Sequence, residues 1–231
     1  MSNGPVDPRW PRLLSLAVHE FRTPITVVAG YIRMLLKDRA GALNEQQRRL
    51  LEEAEKSCGR LAGLVSEMSD LASLEAGTVP LPRTKVDLPA VLAEAVTGLP
   101  PLTDREIRVE LQVTDGTATV LGDATRLRAA FLAILSCLRR ELVTSDVLLV
   151  QHTVTSLQRD AMCVVSIGDA DGIAKMAAEG PGGLGLFDEW RGGCGLSLGI
   201  ACRTFSAHGG GIWSPADGTK SAALVRVPLH S

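Results

Sequence analysis

Apolar residues in the first third of the chain recur at alternating spacings of three and four. In the first run they are Leu14, Val18, Phe21, Ile25, Val28, Ile32 and Leu35, and in the second Leu50, Ala54, Ser57, Leu61, Leu64, Met68 and Leu71. Each run is a heptad seam, which predicts a long amphipathic helix. Asn44 is placed to cap the second helix and Gly77 to end it. The short segment DRAGAL, residues 38–43, therefore joins two helices into a hairpin.

The apolar stripe of this hairpin needs more cover than the partner helix provides. A second copy of the chain would cover it by forming a dimeric four-helix bundle. The alternative is that the stripe packs on a second domain of the same chain. The seams alone do not distinguish these arrangements.

Beyond residues 80–82 the pattern changes to that of a mixed domain. Predicted helices span 87–96, 124–142 and 196–205, and predicted strands span 107–113, 147–154, 161–168 and 222–229. This order indicates an α+β sandwich with a helix layer on one sheet face. The predicted organisation is an N-terminal tail (1–8), the helical hairpin (9–77), a linker (78–85) and the sandwich domain (86–231).

Composition narrows the class of protein. The 231 residues are 45% hydrophobic and 22% charged, so the chain can fold around real cores. A net charge of -2 gives no field that would draw it onto nucleic acid or an acidic membrane. Five cysteines without a C-x-x-C pair fit neither a disulfide framework nor a zinc site. With no apolar run of membrane-spanning length and no signal peptide, we expect a cytoplasmic protein that binds neither membrane nor nucleic acid.

A histidine lies on the flank of the first seam. Val18 is a seam position, so His19 is expected to reach solvent, with Arg22 and Thr23 on the same helical face. An exposed imidazole can accept a phosphoryl group because its neutral nitrogen is nucleophilic. Glu20 could hold the other ring nitrogen, Arg22 could neutralise the transferring oxygens, and Thr23 could align a water.

For a lone histidine, an ordinary surface role would be the simpler interpretation. The whole string HEFRTPIT, however, opens a heptad hairpin and resembles the H-box of sensor histidine kinases. The resemblance covers about residues 9–77, the family's dimerisation and phosphotransfer domain. It implies that His19 is the phosphoacceptor, that Glu20 assists it and that Thr23 occupies the phosphatase position. It also implies a homodimer whose partner is the receiver domain of a response regulator.

The rest of the chain, from about Val86 to Leu229, resembles the family's ATP-binding domain. Its similar segments are GDATRLRAAFLAILSCL (N-box), VVSIGDADGI (first glycine box), LFDEW (phenylalanine box), GGCGLSLGI (second glycine box), AHGGGIW and VRVPL. The nucleotide-binding positions that this resemblance implies are Asp169, Asp171, Gly172, Gly193, Gly195 and Leu196. The segment GPGGLG precedes the phenylalanine box and is interpreted as a loop rather than a second nucleotide loop.

Several positions depart from the family's pattern. Ala133 and Cys137 stand where asparagines would hold Mg²⁺ and phosphates, and neither is a hard oxygen ligand. Gly168 stands where an aspartate would accept a hydrogen bond from adenine, with Asp169 one residue late. Ser197 replaces the third glycine of its box. Only residues 191–192 separate the phenylalanine box from that box, so the lid over ATP is nearly absent.

Three functions follow from this combination. The first is a homodimer that exchanges a phosphoryl group between His19 and a receiver aspartate, as relay or phosphatase, with no metal and no certain cofactor. The second is a true kinase that uses ATP and Mg²⁺ at an atypical site, where Gly172, Gly193 and Gly195 cradle the nucleotide and Asp169 or Asp171 supplies the carboxylate. The third is a non-enzymatic scaffold for a regulator or a partner histidine kinase, which the retained HEFRTPIT string disfavours.

Overall fold

The chain folds into two compact units. A computed structural model describes residues 9–112, 118–157, 160–191 and 193–230. The units are Met1–Val79 and Pro80–Ser231. The predicted tail 1–8 lies outside the described residues. The predicted linker 78–85 overlaps a short strand that begins at Thr84.

The first unit is the predicted helical hairpin. Helix α1 spans Trp10–Leu36 and helix α2 spans Glu45–Glu75. Asn44 caps α2 through a reciprocal pair of hydrogen bonds. Its side chain accepts from the Gln47 amide at 2.8 Å, and the Gln47 side chain accepts from the Asn44 amide at 3.0 Å. Beyond α2, Gly77 adopts a positive φ of 63° that favours glycine. The predicted cap and stop are confirmed.

The hairpin buries only part of the predicted seams. Its buried apolar side chains are Leu14, Val18 and Ile32 from α1, and Cys58, Val65, Leu71 and Ala72 from α2. Seam residues that remain exposed are Phe21, Val28, Leu50, Leu61 and Leu64. These exposed residues agree with the expectation that the apolar stripe needs more cover than the partner helix provides. Two apolar stripes lie side by side on each helix, and periodicity does not say which one faces the partner helix.

The second unit is a sheet covered by helices. Its helices are α3 (Leu88–Thr97), α4 (Ala124–Glu141), α5 (Ala170–Gly183) and α6 (Ser197–Ala207). Its strands are β1 (Thr84–Asp87), β2 (Arg108–Gln112), β3 (Thr119–Gly122), β4 (Val147–Leu157), β5 (Asp160–Gly168), β6 (Gly185–Leu186), β7 (Gly211–Ser214) and β8 (Ala223–Pro228). Six strands form a mixed sheet in the order β2-β4-β5-β8-β7-β6, and β1 pairs with β3 separately.

The two faces of the six-stranded sheet differ. Alternate residues such as Val165 and Ile167 join the main core with α3, α4 and α6. Val164 points to the other face, where it packs with Met176 of α5 and Leu224. The predicted helix layer on one face is confirmed, and α5 adds partial cover on the other.

The segment GPGGLG, expected as a loop, lies at the end of α5, where Gly180 breaks the helical geometry with a φ of 63°. Asp87 precedes α3 as predicted, but its side chain makes no capping hydrogen bond. The predicted strand 107–113 is observed as β2, and Val113 lies outside the described residues. Within the described ranges, no helix has both the length and the apolar character needed to cross a bilayer.

Candidate functional site

His19 lies in the middle of α1 on its solvent side. The neighbouring Val18 is only 4% exposed and anchors the helix against α2, whereas His19 is exposed. Glu20, Arg22 and Thr23 are exposed as well. All four side chains can therefore contact a macromolecule that approaches this surface.

The backbone beside His19 carries a proline without ending the helix. Pro24 lies inside α1 and cannot donate the hydrogen bond that would normally reach the carbonyl four residues earlier. Two residues later the Thr26 hydroxyl donates to the Arg22 carbonyl at 2.8 Å. The helix thus continues through the motif, and the spacing of His19 to Arg22 and Thr23 stays helical.

The two positions predicted to correspond to N-box asparagines, Ala133 and Cys137, lie on α4. Ala133 is half-buried there, and the Cys137 side chain is 1% exposed. Burial raises the pKa of the Cys137 thiol, and a hydrogen bond with the Cys194 side chain raises it further. A neutral thiol engaged with another thiol offers no oxygen to a hard cation. In the described ranges, no group of three or more histidine, cysteine or acidic side chains lies close enough to hold a metal ion.

Both carboxylate oxygens of Asp169 accept hydrogen bonds from other residues of the sandwich unit. Oδ1 accepts from the Gly172 amide at 2.8 Å, which caps the start of α5. Oδ2 accepts from the Thr144 hydroxyl. Asp171, by contrast, is exposed in the first turn of α5.

Gly168 has little room for a side chain. A Cβ at this position would lie 3.0 Å from the Cβ of Ala222, closer than ordinary van der Waals contact. A Cβ at Gly172 would lie equally close to Ala222 and 2.9 Å from Asp169 Oδ1. Ala222 and the Asp169 cap thus pack directly against the segment that resembles the first glycine box.

The second glycine segment is held to α4. Gly193 and Gly195 have φ values of 82° and 59°, a left-handed conformation that side chains disfavour. The Gly193 carbonyl accepts from Arg140 Nη1 at 2.9 Å. Leu196 is the N-cap residue of α6, and the Ser197 hydroxyl donates to the Cys194 carbonyl at 2.6 Å. Gly192 lies outside the described residues.

Arg191 is a residue at this site that sequence reasoning missed. It is 6% exposed and forms an ion pair with Glu141 at 3.0 Å. It also donates to Ser214 Oγ at 3.1 Å, and its guanidinium lies 4.3 Å from the centroid of the Phe187 ring. An arginine after an aromatic motif carries no periodic signal, so only the tertiary contacts reveal that it joins the end of α4 to β7.

The structure therefore groups the predicted residues as two sets. His19, Glu20, Arg22 and Thr23 lie on the hairpin unit. Asp169, Asp171, Gly172, Gly193, Gly195 and Leu196 lie on the sandwich unit, in the segments that follow β5 and precede α6.

Comparison with known proteins locates a recognised domain in the hairpin. Residues 11–77 match the model of the His Kinase A (phospho-acceptor) domain. The phosphate regulon sensor protein PhoR of Pseudomonas aeruginosa is 33% identical over 49% of this chain and 25% of its own length. The circadian input-output histidine kinase CikA of Synechococcus elongatus is 29% identical over 53% of this chain and 17% of its own. The chain thus spans a quarter or less of the length of these relatives.

Solved structures extend the likeness to the sandwich unit. Full-length ShkA in complex with AMPPNP has a TM-score of 0.66 at 23% identity, covering 96% of this chain and 46% of ShkA. The Acinetobacter baumannii histidine kinase AdeS has a TM-score of 0.54 at 20% identity, covering 92% of this chain and 98% of that one. These likenesses concern the fold. The hairpin therefore belongs to the His Kinase A (phospho-acceptor) domain family, and this match together with the sequence relatives and the shared fold supports a sensor histidine kinase with a phospho-acceptor hairpin followed by an ATPase-like domain.

Proposed function

We propose that this chain is a homodimeric two-component signalling protein that exchanges a phosphoryl group between His19 and an aspartate of a receiver domain. It acts as a relay or a phosphatase and does not load His19 from ATP of its own. The observation that carries the proposal is a contrast. The HEFRTPIT motif is complete and exposed within the matched domain, whereas Asp169 is occupied as a helix cap in the ATPase-like unit.

In the relay direction, a neutral ring nitrogen of His19 attacks the phosphorus of the receiver's aspartyl phosphate. A P–N bond forms, the P–O bond breaks, and the aspartate leaves as a carboxylate. The imidazole proton on the other nitrogen passes to Glu20 or to water. Arg22 lies one turn away on the same face, where it can pair with the phosphoryl oxygens. In the phosphatase direction, Thr23 aligns a water that attacks the same phosphorus and releases free phosphate.

The side chains present do not suit Mg²⁺ with ATP. Ala133 and Cys137 offer no oxygen at the N-box positions, and the Cys137 thiol contacts Cys194 instead. Asp169 cannot turn to adenine without releasing both the Gly172 amide and the Thr144 hydroxyl. ATP therefore takes no part in the proposed phosphoryl exchange.

The second candidate is an ATP-dependent kinase with an atypical site. It is favoured by the left-handed conformations of Gly193 and Gly195, which leave backbone without side chains before α6. The ShkA neighbour is in complex with AMPPNP. In this candidate Asp169 or Asp171 supplies the missing carboxylate, and replacing it would abolish labelling of His19.

The first experiment separates these two candidates. The full chain is incubated with γ-labelled ATP and Mg²⁺, and acid-labile, base-stable label is measured. We expect no label above that of the His19→Gln variant. His230→Gln, which removes an exposed histidine elsewhere, is the matched control. Label that is present in the unchanged chain and in His230→Gln, but absent from His19→Gln, would establish the kinase candidate.

The second experiment tests the exchange itself. The chain is mixed with a receiver domain phosphorylated by a phosphoramidate, and both proteins and free phosphate are followed over time. Transfer of label to His19 supports a relay, and free phosphate that decreases in Thr23→Ala supports a phosphatase. Receiver binding with neither reaction would leave a scaffold for a regulator or a partner kinase. A cytoplasmic location, where such receivers act, belongs to the same proposal.

A further inference from the structure

A cavity opens on the face of the sheet that α5 partly covers. Its volume is about 340 Å³, at the small end of the range for ligand pockets. It lies between α5 and strands β4, β5 and β8. Of the segments that resemble the nucleotide boxes, only the first glycine box contributes to the described lining, through Val164, Ser166 and Ile173.

Strand pairing arranges the floor of this cavity in rows. In one row Thr153, Val164 and Arg226 are neighbours across β4, β5 and β8. In the next row Ser166 pairs with Leu224. Thr153 therefore places a hydroxyl group on the β4 side, and Ser166 places another in the adjacent row. Val164 and Leu224 supply apolar side chains between them, and Arg226 supplies a cation on β8.

The apolar part of the cavity combines strand and helix side chains. Met162 and Val164 line it from β5, Leu224 from β8, and Ile173 and Met176 from α5. Methionine is unbranched and adapts to differently shaped apolar groups. This part of the cavity suits a small hydrocarbon or aromatic body.

Arg226 lies at the edge of the cavity, where a contact with Trp213 orients its side chain. Its guanidinium lies 4.6 Å from the centroid of the Trp213 indole, a cation–π contact. Gly211, paired with Arg226 across the sheet, leaves space for the indole, since a Cβ there would lie 2.8 Å from the Trp213 ring. The side chain is thus oriented before any ligand arrives.

This cation has no acidic partner in the described part of the chain. None of the ion pairs found there includes Arg226, and no described residue lining the cavity is acidic. Partial burial lowers the pKa of Arg226 because the guanidinium loses water. A half-buried guanidinium that has no carboxylate partner within the protein is stabilised when a bound anion provides a carboxylate to pair with it.

From this arrangement we infer that the cavity is a binding site for a small amphipathic monocarboxylate, whose carboxylate pairs with Arg226 and whose apolar body lies over Val164 under Met176. The planar fork of arginine matches a carboxylate in two parallel hydrogen bonds. Arg226 is the one cation among the described lining residues, which favours a monoanion over a phosphate. This inference is independent of the chemistry at His19.

The test uses the full chain with methyl-¹³C methionine and NMR detection. Of the five methionines, Met162 and Met176 line the cavity, whereas Met34 and Met68 lie on the hairpin. Titration with phenylacetate, benzoate and octanoate should shift the Met162 and Met176 signals saturably for at least one acid. The Met34 and Met68 signals should stay in place. The neutral analogue phenylacetamide should bind at least about tenfold more weakly than phenylacetate, because a charge-assisted pair is lost.

Two pairs of variants make the test specific. Arg226→Gln should weaken binding at least about tenfold, whereas Arg108→Gln, an exposed arginine on β2, should leave it unchanged. Ala177→Leu fills the cavity from an exposed position of α5 and should abolish binding without unfolding the unit. Ala178→Leu on the same helix lies outside the lining and is its control.

Any one of three results would overturn the inference. The first is that none of the acids shifts the Met162 and Met176 signals saturably, and the second is that phenylacetate and phenylacetamide bind with equal affinity. The third is that both Arg226→Gln and Ala177→Leu bind the acid as tightly as the unchanged chain does. A shift of the Met162 and Met176 signals with protein concentration alone would assign this face to a second copy of the chain instead.

Discussion

His208 is a polar residue whose role depends on the absence of a side chain at Gly122. Its Nε2 accepts from the Asp123 amide at 3.0 Å, and its Nδ1 lies 2.7 Å from the Thr204 carbonyl, to which it donates. The ring thereby connects the end of α6 to the start of α4. A Cβ at Gly122 would lie 2.2 Å from His208 Cδ2. Glycine is thus required here by a close approach.

Gly122→Ala should therefore destabilise the sandwich unit. The imidazole must move, and its hydrogen bonds to α4 and α6 weaken, which we expect to cost about 2 kcal/mol in the free energy of unfolding. Urea denaturation followed by circular dichroism measures the change. Gly185→Ala is the control, because a Cβ there meets nothing closer than 3.7 Å. Equal stability of the two variants would contradict the role assigned to His208.

Cys163 makes the stability of the same unit depend on alkaline pH. The residue is 0% exposed on β5, and burial raises the pKa of its thiol to about 11 from an ordinary value of 9.0. Between these values the unfolded chain ionises and the folded chain does not, so stability decreases as pH rises. The contribution is fully present below pH 9.

We expect the free energy of unfolding of the sandwich unit to decrease between about pH 9 and pH 11, by on the order of 2 kcal/mol for this thiol. In Cys163→Ala the decrease over the same range should be smaller, whatever the variant's stability at neutral pH. Cys58→Ala, which changes the hairpin, should keep the full decrease. Urea titrations at successive pH values measure the slope, and identical slopes in all three proteins would refute the assignment.

At the scale of single elements, the start of α2 is the best-defined helix end in the hairpin. Asn44 and Gln47 satisfy each other's backbone amides. The turn before them is tied by Arg48, whose guanidinium lies 2.8 Å from Asp38 Oδ2 and donates to the Leu36 carbonyl at 3.0 Å. The two helices are thus joined by backbone capping as well as by apolar packing.

Asn44→Ala should lower the free energy of unfolding of the hairpin by about 1 kcal/mol, since an amide at the first turn of α2 loses its acceptor. Gln46→Ala is the matched control, because Gln46 is exposed in the same turn and outside the capping pair. Thermal unfolding of the two variants in parallel measures the difference. A larger loss for Gln46→Ala than for Asn44→Ala would contradict the cap.

At the scale of the whole molecule, the hairpin leaves a second apolar stripe uncovered. Its exposed large apolar side chains are Trp10, Leu13, Leu16, Phe21, Val27, Val28, Tyr31, Met34, Leu50, Leu61 and Leu64. A surface of this extent on one small unit is typical of an interface. It agrees with the dimerisation that the phospho-acceptor domain implies in general.

Leu61→Lys should therefore raise the dissociation constant of the homodimer at least about a hundredfold, because the new charge would lose its water at the interface. Leu61 is 49% exposed within one copy, so the change should leave the hairpin folded. Leu186→Lys, at an 80% exposed residue of the sandwich unit, is the control. Sedimentation equilibrium measures both. A monomeric wild-type chain, or an unaffected Leu61→Lys dimer, would contradict the proposed assembly.

Much of this architecture could be predicted because its signals are local. Helix α1 and the capping of α2 follow from heptad spacing and one asparagine, and β4, β5 and β8 follow from short alternating runs. Helix α5 was not predicted, since its small residues and glycines carry little periodicity. The phosphoacceptor candidate His19 depended on a contiguous string. Arg191, in contrast, joins α4 to β7 through contacts with Glu141 and Ser214, which lie more than twenty positions away in the chain.

The sequence by itself determined the order of the two units, the ends of the hairpin helices and the surface position of His19. Each of these depends on neighbours within a few residues, where spacing and residue type settle the outcome. Tertiary structure alone decided which stripe each hairpin helix buries and that Asp169 accepts a hydrogen bond from Thr144. It also decided that Arg226 lies beside an apolar cavity. These features arise where distant strands and helices meet, and such long-range pairing leaves no periodic trace in the chain.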